Sequence, residues 1–112
     1  MAQKLFNLND VIKKYVDALF KAGIHPEQIL LYGSYAKGTA DEWSDIDLAI
    51  ISEDFASISP IQRLELLALA TRGLKAPIEA IGYTSQEIAE RGKDSILWEE
   101  IQNNHRVLYK AA

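Results

Sequence analysis

Apolar residues at Leu8, Val11, Ile12, Tyr15, Val16, Leu19 and Phe20 follow a three-and-four spacing. That spacing predicts an amphipathic helix over residues 8–22, with Asn7 or Asn9 as N-cap and Gly23 as stop. After the turn at His25-Pro26 the pattern changes. Ile29-Leu30-Leu31-Tyr32 reads as a strand ending at Gly33, and Leu48-Ala49-Ile50-Ile51 is an unbroken apolar run of the kind found in strands covered on both faces. Residues 53–57 read as a loop. Ser59-Pro60-Ile61-Gln62 then opens a helix with a cap, a proline at the first helical position and a glutamine three residues after the cap. Leu64, Leu66, Leu67 and Leu69 carry it to about Thr71, and Gly73 ends it. Residues 77–82 make a third strand. Thr84-Ser85-Gln86-Glu87 is a second capping box, starting a short helix that ends near Gly92. A last helix starts at Asp94 or Ser95 and runs through Leu97, Trp98 and Ile101; Arg106-Val107-Leu108-Tyr109 adds a short strand.

Strands separated by helices predict an α/β (α+β) domain with a small mixed sheet. The 112 residues suit a single domain, 1–112, and with 48% of them hydrophobic they can fill a core. There is no internal repeat, linker or low-complexity tract. No apolar run approaches the roughly 18 residues of a membrane span, and Met1–Phe6 does not begin a signal peptide. The chain has no cysteine, which excludes disulfides and thiolate metal sites and is compatible with a cytoplasmic location. A net charge of −4 argues against direct nucleic-acid binding through a basic surface. His25 and His105 each lie beside a turn and read as surface residues.

The chemistry gathers in residues 30–51. Asp45 and Asp47 are two apart in an otherwise apolar run, so both leave the same face of a strand. At a separation of about 6.6 Å and an effective dielectric near 20, they repel by about 2.5 kcal/mol. A divalent cation relieves such a pair, because hard cations take carboxylate oxygens. Upstream, Gly33 lets the backbone turn and approach a ligand, and Ser34 is placed to cap the next segment, whose free N–H groups would face an anion. Lys37 adds a cation one turn on. A phosphate cradle followed by an acid pair is what a nucleoside triphosphate with Mg²⁺ requires. Taken singly, each feature also has a plain structural reading: a capped turn, an edge-strand acid, a solvated lysine.

Gly33-Ser34, ten residues, then Asp45-x-Asp47 resembles the signature of the polymerase-β-like nucleotidyltransferase superfamily. The runs G-S-Y-A-K-G-T-A and S-D-I-D-L are most similar to its minimal nucleotidyltransferase (MNT) family, over about a fifth of the chain. The resemblance implies a small mixed sheet with helices packed on one side and the site open on the other. It implies that Gly33 and Ser34 hold the triphosphate, that Asp45 and Asp47 hold two Mg²⁺ ions, that Lys37 sits near the phosphates, and that Ser44 lends its hydroxyl to the nucleotide. It also implies a third acid on a neighbouring strand, as metal ligand and base. Glu79 is the candidate, where the family more often has Asp; its structural alternative is an exposed edge-strand acid. Glu53 and Asp54 lie at the far end of the second strand. The implied activity is transfer of AMP from ATP to a hydroxyl of a partner protein, a HEPN ribonuclease that the MNT protein counters as antitoxin. Two rival readings remain: a binding module that inhibits the HEPN partner by contact alone, and a small-molecule adenylyltransferase.

Overall fold

A computed structural model gives the fold and describes residues 7–112; Met1–Phe6, where no signal peptide was read, lies outside the described residues. Helix α1 spans Leu8–Lys21 and is capped by Asn7, whose side chain accepts from the Asp10 N–H at 3.2 Å. Strand β1 (Gln28–Tyr32) leads directly into the short helix α2 (Gly33–Lys37), and β2 spans Ile46–Ile51. Residues Glu53–Ser57, expected to be a loop, form a 3₁₀ turn. Ser52 caps it by accepting from the Asp54 N–H, and the buried Phe55 anchors it. Helix α3 (Pro60–Leu69) and helix α4 (Ser85–Arg91) both start with complete capping boxes, on either side of β3 (Ile78–Tyr83). Helix α5 (Ile96–Asn103), capped by Ser95, precedes β4 (Arg106–Lys110).

The sheet order is β3-β2-β1-β4. β1 is antiparallel to β2 and to β4, whereas β2 and β3 are parallel, joined by the crossover through α3. Alternation along the strands sorts the side chains into two layers. One face buries Ile29, Leu31, Ile46, Leu48 and Ile50 under Ile12, Tyr15, Val16 and Leu19 of α1, with Leu67 of α3 beside them. Tyr15 ties these two helices together by donating its hydroxyl to the Leu67 carbonyl at 2.9 Å. The opposite face carries Leu30, Tyr32, Ala49 and Ile51, packed against Trp98 and Ile101 of α5. Each such buried aliphatic or aromatic side chain contributes about 1.5–3 kcal/mol. Helices α1 and α3 therefore lie on one side, and α5, with Ile88 of α4, lies across part of the other.

Arg63 of α3 is buried and fastens the crossover. Its guanidinium donates to the carbonyls of Ile58, Phe55 and Gly82 at 2.8, 2.7 and 3.2 Å, and forks onto both oxygens of Glu87 at 2.7 and 2.8 Å. These bonds hold β3 at the register that places its residues beside β2.

Candidate active site

Parallel pairing of β2 and β3 sets Asp47 beside Glu79, and antiparallel pairing of β1 and β2 sets Asp47 beside Tyr32. Directly paired residues project from the same face, so all three share the face that α5 partly covers. Asp47 is half-buried, Glu79 exposed, and Asp45 exposed one residue before β2 begins. The expected strand thus carries Asp47, with Asp45 at its threshold. Glu79 lies beside the acid pair rather than away from it.

Gly33 is pressed against this row. Its φ is +71°, and a Cβ at that position would fall 2.2 Å from Oδ2 of Asp47. Only glycine leaves room for the Asp47 carboxylate against the turn and accepts the left-handed backbone there. Ser34 departs from expectation. It does not cap α2 but stands within its first turn, because the chain becomes helical directly at Gly33; the N-cap is Tyr32, which offers no side-chain hydrogen bond.

The electrostatics report a crowd of negative charge. Burial first, then Glu79, Asp45 and Glu100, push the Asp47 carboxyl above its usual range. Burial, followed by Asp47, Tyr83, Glu79 and Glu100, pushes the Tyr32 hydroxyl up to about 12. Glu100 of α5 is the site residue that sequence reasoning missed. Its only sequence signal is that it precedes Ile101 on a helix whose buried side is Trp98 and Ile101. Lys37, expected near the phosphates, donates to Glu100 Oε1 at 2.6 Å and so ties α2 to α5. Both side chains are 42% exposed. Ser44 uses its hydroxyl locally: it accepts from the Asp41 N–H at 2.9 Å and donates to Asp41 Oδ1 at 3.1 Å. Asp54 lies at the other end of the sheet, where it accepts from the His25 backbone at 2.7 Å, a bond that lowers its carboxyl below the usual range. A cavity of about 620 Å³, lined by Leu30, Ile51, Ile88 and Trp98 among others, opens at that far end too.

Among the described residues, no three His, Cys, Asp or Glu side chains close around a point as a metal cage. Magnesium does not require one: it keeps several waters and binds one or two carboxylates together with substrate phosphates. Asp45, Asp47 and Glu79 supply hard oxygen donors on adjoining positions, and burial, followed by the neighbouring acids, holds the Asp47 carboxyl above its usual range. The residues fit the ion.

The nucleotidyltransferase domain family matches residues 10–107. This chain belongs to the nucleotidyltransferase domain family. Protein adenylyltransferase MntA of Shewanella oneidensis is 31% identical over 98 residues, covering 82% of this chain and 65% of MntA. The chain thus spans a little under two thirds of that relative. The nucleotidyltransferase fold recurs in a chain of a toxin–antitoxin complex solved with AMP-PNP, with a TM-score of 0.61 at 22% identity over 92% of this chain and 73% of the other. It recurs again in a complex of tri-AMPylated Shewanella oneidensis HEPN toxin with its MNT antitoxin, with a TM-score of 0.53 at 21% identity over 93% and 71%. Among the described residues of this nucleotidyltransferase chain, no helix is long and apolar enough to cross a membrane.

Proposed function

We propose that this nucleotidyltransferase domain transfers AMP from ATP to a hydroxyl of a HEPN-type partner protein in the cytoplasm, and thereby acts as that toxin's antitoxin. One observation carries the reading: Asp47 and Glu79 stand side by side on parallel strands, with Gly33 packed so closely under Asp47 that a Cβ would fall 2.2 Å from its carboxylate. A glycine turn, a paired acid and a third acid on the next strand are thereby combined at one end of the sheet. Further support comes from the relatives: MntA is described as a protein adenylyltransferase, and the Shewanella complex pairs an MNT antitoxin with an AMPylated HEPN toxin.

In this reading Gly33 and Ser34 position the β- and γ-phosphates through backbone N–H groups, and Lys37 adds positive charge beside them. Asp45, Asp47 and Glu79 would hold magnesium, which when bound supplies positive charge to the attacking and leaving oxygens. The acceptor oxygen forms its bond to the α-phosphorus while the bond from that phosphorus to pyrophosphate breaks. The proton of the acceptor hydroxyl passes to the Glu79 carboxylate.

The test is incubation of the full chain with labelled ATP, Mg²⁺ and a HEPN-type protein. Label on the partner that disappears with Asp47→Asn supports the proposal. Suppression of the partner's ribonuclease without ATP, undiminished by Asp47→Asn, replaces transfer by inhibition through contact.

A further inference from the structure

Trp43 is 84% exposed, on the turn that delivers the chain into Asp45. Burial of a tryptophan is strongly favourable, so one held in water next to a candidate active site stands out from scattered surface apolar residues. The turn beneath it is well defined. The Trp43 N–H donates to Asp41 Oδ1 at 2.9 Å, the Ser44 N–H donates to the Asp41 carbonyl at 3.2 Å, and the Ser44 hydroxyl closes the loop on Asp41. The ring is thus presented from a hydrogen-bonded turn, two residues before Asp45, at most about 7 Å away along the chain.

The surroundings of the acid row leave few directions for a nucleoside. On the β1 side lie Gly33, Ser34 and Lys37, assigned to the phosphates. On the β3 side lies Glu79, assigned to the acceptor. Down the sheet face, the positions next to Asp47 are Tyr32 and Ala49, and both are covered by Trp98 and Ile101 of α5. Past the start of β2 stands the Asp41–Ser44 turn, with Asp41, Glu42 and Trp43 exposed and Ser44 half-buried.

We infer that Trp43 is the stacking platform for the nucleobase of the nucleoside triphosphate; the inference rests on the nucleotidyltransferase reading of the acid row. An indole face suits any base, because base–aromatic stacking uses the π-face and not the hydrogen-bonding edge. The base choice of the site is accordingly set elsewhere or is broad.

The test uses the full chain and its Trp43→Ala and Trp43→Phe variants. Calorimetry measures the affinity of each for ATP and for inorganic tripolyphosphate, both with Mg²⁺. Trp43→Ala is expected to weaken ATP by about 5- to 150-fold, the usual scale for losing one stacked base. Tripolyphosphate, which has no base, should bind all three proteins equally, and Trp43→Phe should stay within a few-fold of the parent for ATP. Unchanged apo melting temperatures confirm that the turn tolerates the changes. Equal ATP affinity of Trp43→Ala and parent, with tripolyphosphate still bound, overturns the stacking role and leaves the nucleotidyltransferase reading standing. Unchanged ATP affinity with reduced transfer to a protein acceptor also overturns it, and assigns Trp43 to the acceptor surface. Failure of the parent to bind either ligand overturns both.

Discussion

Asp47→Asn should make the metal-free protein more stable and the metal-loaded protein less so. Asp47 faces Glu79 across neighbouring strands, about 4.8 Å apart, and Asp45 along the chain, about 6.6 Å apart. At an effective dielectric near 20 these separations correspond to repulsions of about 3.5 and 2.5 kcal/mol. Glu79 and Asp45 are exposed, so water screens most of this. A net relief of about 1 kcal/mol remains, worth about 4 °C in melting temperature for a chain this size. The parent should gain about 2.7 kcal/mol with Mn²⁺ at a hundred times its dissociation constant, and Asp47→Asn almost none. The pH dependence has a definite sign. The Asp47 carboxyl is raised in the folded state, so the fold binds that proton more tightly than the unfolded chain does. Its ionisation therefore costs stability at neutral pH, and the cost is recovered as pH falls through the raised value toward the ordinary aspartate range. The parent-minus-variant difference in melting temperature should accordingly shrink on acidification. Melts followed by circular dichroism, with and without Mn²⁺, at pH 7 and pH 5, check all three points. An apo Asp47→Asn protein destabilised by more than about 1 kcal/mol, or one that still responds fully to Mn²⁺, would refute the reasoning and make Asp47 a structural residue.

Glu79→Gln should leave ATP affinity nearly unchanged while AMP transfer at saturating ATP and metal falls about 100-fold or more; equal rates would return Glu79 to the role of an edge-strand acid. Gly33→Ala should cost about 1–2 kcal/mol for the left-handed backbone and more for the collision with Asp47, and calorimetry should show loss of ATP binding in whatever fraction remains folded. Arg63→Met should destabilise by about 1–3 kcal/mol in denaturant melts, since the Ile58 and Gly82 carbonyls lose the guanidinium, while Glu87, 38% exposed, keeps its bond from the Thr84 N–H. Arg63 beside Glu87 lowers that carboxyl, so the stability it supplies is lost as pH falls below the ordinary glutamate range, and Arg63→Met should lack this part of the acid sensitivity.

What the sequence disclosed was local. The capping boxes at Ser59–Gln62 and Thr84–Glu87 place α3 and α4 because both partners of each cap lie three residues apart. Gly33, Asp45 and Asp47 are legible for the same reason: they belong to one hairpin and its turn. Glu79 was legible as an acid in a strand, but its place beside Asp47 depends on β3 joining β2 and not another edge. Glu100 and the Lys37 pairing were hidden, since 63 residues separate the partners and only the packing of Trp98 and Ile101 brings α5 over the sheet. Nothing in the spacing of the helix singles out Arg63. Its burial follows from carbonyls presented by Phe55, Ile58 and Gly82, which no spacing in the sequence announces.

The parallel pairing of β2 with β3 also has a kinetic meaning. The β1–β2 hairpin contains Gly33, Ser34, Asp45 and Asp47, and closing it requires only the loop between Tyr32 and Ile46. Glu79 arrives only after the chain has traversed the 3₁₀ turn and α3 and laid β3 alongside, a closure of higher sequence separation and slower formation. The pairing that brings Glu79 to the two aspartates is therefore the long-range contact of the site. A nascent chain that has emerged no further than α3 already holds both aspartates and the glycine turn but has no third carboxylate.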